Sequence, residues 1–108
     1  ILSAINKARG ATLASLNSFE YGVHFEIDAV VIFKGQSFSA LAIDNEIIDI
    51  FYPAVITNVT LNGVSSNTGE FYFSRLRGVP SKTGSVTISN GPNSEVITIF
   101  ATGVASAN

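Results

Sequence analysis

His24 is the only histidine in the chain, and there is no cysteine. Any nucleophilic triad or imidazole general base would therefore have to run through this one ring. No nucleophile elbow of the G-x-S-x-G kind is present to serve it. The ring falls between Val23 and Phe25 in an alternating segment, which predicts a structural histidine on the polar face of a strand. A catalytic reading requires a pocket converging on His24 with two carboxylates. One histidine without cysteine is also too few ligands for a structural zinc site. No catalytic, metal-binding or cofactor-binding residue is expected.

Three further groups of side chains carry chemistry. Asp44, Glu46 and Asp49 cluster in "AIDNEIID", where closely spaced oxygens can hold calcium. The EF-hand glycine and terminal glutamate are absent, however, and Ile43, Ile47 and Ile48 interrupt the acids, so a solvated acidic edge is the expectation. Arg75 and Arg77 share one face of what reads as an extended segment continuing Phe71 and Phe73, with Lys82 in the next turn. Such a trio suits surface salt bridging or edge protection, with contact to a neighbouring subunit as the functional alternative. Glu20, Glu26 and Glu46 offer carboxylates, but nothing in the spacing brings two of them within the about 5–9 Å that glycoside chemistry needs. The nine glycines sit singly at turns and form no phosphate loop, and Asn58-Val59-Thr60 reads as a chance glycosylation sequon.

Two structural regimes must position these residues. Ile1, Ile5, Ala8, Thr12 and Leu16 recur at helical spacing, with Leu2 and Leu13 widening the stripe, and predict a helix over residues 1–17. Gly10 weakens that helix by about 1 kcal/mol relative to alanine, so it needs a surface to dock on. From Phe19 onward the pattern is strand-like. Tyr21, Val23, Phe25 and Ile27 alternate with Gly22, His24 and Glu26, and a turn at Asp28-Ala29 returns the chain into Val30–Lys34. Ile47–Phe51 is a short apolar run. Val55, Thr57, Val59 and Leu61 form one face of the next strand, which ends at the turn dipeptide Asn62-Gly63. Val64–Gly69 reads as a polar loop. Strands follow around Phe71–Phe73, Ser85–Ser89 and Glu95–Thr102, and then a tail of small residues. The expected fold class is α+β, an N-terminal helix packed on one antiparallel sheet of about seven strands, with residues 1–108 forming a single domain.

The bulk properties narrow the function class. Apolar residues make up 46% of the chain and charged ones 13%, enough for a core and against disorder. Mean hydropathy is +0.38, yet no run nears the ~18 apolar residues that a membrane span needs. Six basic residues spread over a chain of net charge −2 make a poor nucleic-acid footprint. The chain begins at Ile1 and contains no methionine, and Ile1 has no capping residue before it, which together predict an upstream segment that is missing here.

Particular segments resemble a known family. "YGVHFE" at 21–26 and "FKGQSF" at 33–38 resemble the first-hairpin region of type IV pilin-like minor pilins and pseudopilins, the pseudopilin H (FimT-like) prepilin group. "YPAVITNVTLNG" at 52–63, "FYFSRLRGVPSKTGSVTIS" at 71–89 and "EVITIFATGVAS" at 95–106 are similar to later strands of that family, in the same order. The sequence departs from the family at Ala54, where glycine follows the proline, at Phe100, and in "GVASAN", which lacks the basic residues of DNA-binding relatives. The resemblance implies a non-enzymatic filament subunit of the cell envelope, made with a leader and an apolar helix upstream. That helix would anchor in the inner membrane before assembly and pack with other pilin or pseudopilin subunits afterwards. Ile1, Ile5, Lys7, Arg9, Thr12, Arg75 and Arg77 are the expected subunit contacts. The competing expectation is a secreted β-rich adhesion or carbohydrate-binding module, with Tyr21, Tyr52 and Tyr72 as its aromatic platform.

Overall fold

The computed structural model describes residues 2–14, 19–51, 53–75 and 77–107. One helix, α1 (Leu2–Ala14), leads into nine strands among these residues: β1 (Tyr21–Glu26), β2 (Ala29–Lys34), β3 (Glu46–Asp49), β4 (Ala54–Leu61), β5 (Val64–Ser66), β6 (Gly69–Tyr72), β7 (Gly84–Asn90), β8 (Asn93–Ile99) and β9 (Ala105–Ala107). They form two antiparallel sheets, one in the order β3-β2-β1-β6 and the other β5-β4-β7-β8-β9.

This arrangement overturns the expected α+β fold of a helix on one sheet of about seven strands. The fold is β-rich, with two sheets and one short helix. Simple lengths explain the difference. The 13 residues of α1 rise about 20 Å, enough to cross roughly four strands spaced about 4.8 Å apart. The remaining apolar strands need a second layer, and the five-stranded sheet supplies it. One core results, in which Ala4, Ile5 and Ala8 of the helix meet Val23, Phe25, Val30, Ile32 and Phe71 of the first sheet and Ile56, Val59, Val86 and Ile97 of the second. The helix lies mainly against β1, with further contact to β2 and β9.

Local chemistry accounts for the other departures. Thr57 sits at a β-bulge in β4, where the pairing with β7 shifts between Ile56 and Asn58. The extra residue moves Ile56 into the core beside Val59 and Leu61, so the run Val55, Thr57, Val59, Leu61 does not share one face. Asn62 and Gly63 both adopt positive φ, 51° and 82°, the geometry of a tight hairpin. The chain therefore folds back as β5 along β4 where a polar loop was expected. The tail of small residues pairs as β9 with β8. The first hairpin turns at Ile27-Asp28, which leaves Ile27 outside β1 and 58% exposed. Residues 15–18, part of the expected helix, lie outside the described residues.

Candidate interaction surfaces

The outer face of the first sheet carries the titratable cluster. His24 lies on β1, between β2 and β6. Glu26 follows two residues along the same strand face, and Glu70 is its directly opposed partner on β6. His24 Nδ1 lies 2.9 Å from Glu70 Oε1, and Nε2 lies 3.5 Å from Glu26 Oε2. Two carboxylates do converge on the ring, as a catalytic reading requires, but no pocket does. The β2–β3 loop folds Phe38 flat onto the imidazole, with centroids 3.8 Å apart and planes within 1°. Phe38 also meets the Phe33 ring edge-on at 5.9 Å. The His24 side chain is left 11% exposed, and both ring nitrogens face carboxylates. The strand face expected to be polar is thus covered, and this arrangement ties β1, β6 and the loop together. Glu70 and Phe38 had no sequence signal of their own, because their roles depend on strand register and loop return.

The helix residues divide sharply. Ile5 and Thr12 are buried in the domain's own core. The Thr12 hydroxyl donates to the Ala8 carbonyl at 3.0 Å and accepts the Tyr21 N–H at 2.9 Å, fixing α1 to the start of β1. Lys7 points across to β3 and pairs with Glu46 at 2.7 Å, an exposed pair worth little in stability. Arg9 turns back into the domain. Its Nε donates to the Gly78 carbonyl at 3.0 Å. A side chain on Gly103 would collide with that same carbonyl and with Arg9, so glycine is needed there for the guanidinium to pass. Ile1 lies outside the described residues. The outward face of α1 consists of Ser3, Asn6, Lys7 and Gly10, and nothing stands within 4 Å of where a Gly10 side chain would project.

The two free edges of the first sheet differ in charge. On the β3 side, Asp44, Glu46 and Asp49 sit beside large exposed apolar side chains: Ile43 is 97% exposed and Phe51 79%. Glu46 faces the helix, while the outward-facing row of β3 runs through Ile47 and Asp49. Among the described residues, no three acidic or histidine side chains are grouped so as to hold a metal ion. On the β6 side, the expected extended segment through Arg75 and Arg77 is instead a turn, closed by the Gly78 N–H donating to the Ser74 carbonyl at 2.8 Å. Glu20, Ser74, Arg75 and Arg77 line an open concavity of about 360 Å³ there. Both oxygens of Glu20 are engaged, accepting from Gln36 Nε2 and from the Arg75 N–H. Lys82 lies apart, beside β4 and β5.

Comparison with known proteins adds no relative to this picture: no family model, no curated protein and no solved structure matches the chain.

Proposed function

We propose that this chain works by contact, as a non-enzymatic subunit of a type IV pilin-like filament of the cell envelope. The observation that carries the reading is the one-sided docking of α1. Ala4, Ile5, Ala8 and Thr12 hold the helix against the sheets, and Ser3, Asn6, Lys7 and Gly10 face away. Open space above Gly10 allows a neighbouring helix to come close, which is how helices with small residues at the crossing point pack together. The ordered segments at 21–26, 33–38, 52–63, 71–89 and 95–106 support the pilin-like part of the reading. The exposed apolar residues beside β3 support a contact role more generally, since large exposed apolar patches mark interaction sites. No helix among the described residues is long and apolar enough to cross a membrane.

The competing adhesion or carbohydrate-binding reading needs tyrosines on one plane. Tyr21 packs toward the core from the inner face of β1, whereas Tyr72 is opposed to Gly22 on the outer face. Tyr52 lies outside the described residues. No observation favours that reading.

Gly10→Trp in the full-length protein, produced in its own cells, tests the proposal. The open space at Gly10 means that the domain should fold and melt within a few degrees of the parent. Recovery of the variant in sheared or detergent-resistant envelope filaments should nevertheless fall about tenfold or more, by blocking a close helix contact. Undiminished incorporation of a folded variant would contradict the reading.

A further inference from the structure

The first sheet carries opposite chemistry at two diagonal corners. Strand register fixes the diagonal. Asp49 is opposed to Ala29, and the Ile50 N–H bonds to the Asp28 carbonyl at 2.8 Å. Ile27, Asp28, Asp49 and Phe51 therefore gather at the end of the sheet where the β1–β2 turn lies, on the β3 edge. The Gly35 N–H bonds to the Glu20 carbonyl at 2.6 Å, so Glu20 marks the opposite end of β1 and β2. The Arg75 N–H bonds to Glu20 there, and the chain reaches it from β6, the other edge.

The acidic corner protrudes, with Phe51 79% exposed and flanked by Asp28 and Asp49. The basic corner is concave, with Arg75 and Arg77 around about 360 Å³ of open space. Guanidinium groups suit both partners this offers, a carboxylate and the face of an aromatic ring.

We propose that these corners join successive copies of this chain head to tail. Phe51 of one copy seats between Arg75 and Arg77 of the next, while Asp28 and Asp49 meet the two guanidinium groups. Because the two surfaces are different and lie at opposite corners, the contact does not close on itself and repeats along a line. The inference rests on the filament reading above and supplies a contact between globular domains that is separate from α1.

Sedimentation of the purified chain at low and high salt tests it, with reciprocal charge reversal. The parent should associate further as concentration rises, and salt should weaken this. The pair Asp28→Lys with Asp49→Lys, the pair Arg75→Glu with Arg77→Glu, and Phe51→Ser should each weaken association about tenfold or more. Far-UV circular dichroism should be unchanged, since all five positions are exposed. An equimolar mixture of the two charge-reversed proteins should associate again. A parent that stays monomeric, variants that associate like the parent, or a mixture that stays apart would each overturn the contact. Those results would leave the Gly10→Trp outcome to judge the filament reading by itself.

Discussion

Thr12 shows how much one side chain settles at the residue scale. It is 1% exposed, and its hydroxyl serves the helix and the first strand at once. Thr12→Val keeps the shape and removes the acceptor for the Tyr21 N–H. The expected loss is about 1–3 kcal/mol of unfolding free energy, read from urea denaturation. A loss within error of zero would show that water replaces the bond. The helical spacing of Ile5, Ala8 and Thr12 was legible in the sequence, because burial on one face follows the 3.6-residue period. That Arg9 bends inward to the Gly78 carbonyl was not, since its partner lies 69 residues away and no local pattern encodes it. His24 followed the same rule. Its position on β1 was readable, whereas Glu70 and Phe38 came to it only through strand register and loop return.

At the scale of elements, β1 depends on a glycine that alternation alone does not explain. Gly22 is opposed to Phe33, whose ring lies over it, and a methyl group there would strike both that ring and the Phe71 carbonyl. Gly22→Ala should destabilise the domain by about 1–3 kcal/mol through overpacking, measured by thermal unfolding. A variant as stable as the parent would show that the ring moves aside freely. Strands rich in Val, Ile and Phe were readable for the same reason that this packing is tight, since their apolar faces must be covered. Strands β5 and β9 were not. Val64–Ser66 and Ala105–Ala107 have no alternating apolar face, and they pair because a hairpin turn or a neighbouring strand edge presents them with main-chain partners. The bulge at Thr57 likewise needed the pairing with β7 to be seen.

At the scale of the whole molecule, the second sheet takes the covering role that the sequence had assigned to the helix alone. That leaves α1 short, firmly seated, and free on its outward side to meet other chains. The first sheet, between its acidic and basic corners, offers a second and independent place of contact. The absence of native cysteine gives a direct way to interrogate the helix face. Asn6→Cys places a single thiol on the exposed side of α1 without touching the core. Treating cells that carry this full-length variant with a short bifunctional thiol–amine reagent, then blotting under denaturing conditions, should give adducts at the mass of two or more pilin-like chains, and Gly10→Trp should suppress them. A signal confined to the single chain, with the thiol shown to be reactive, would contradict the account.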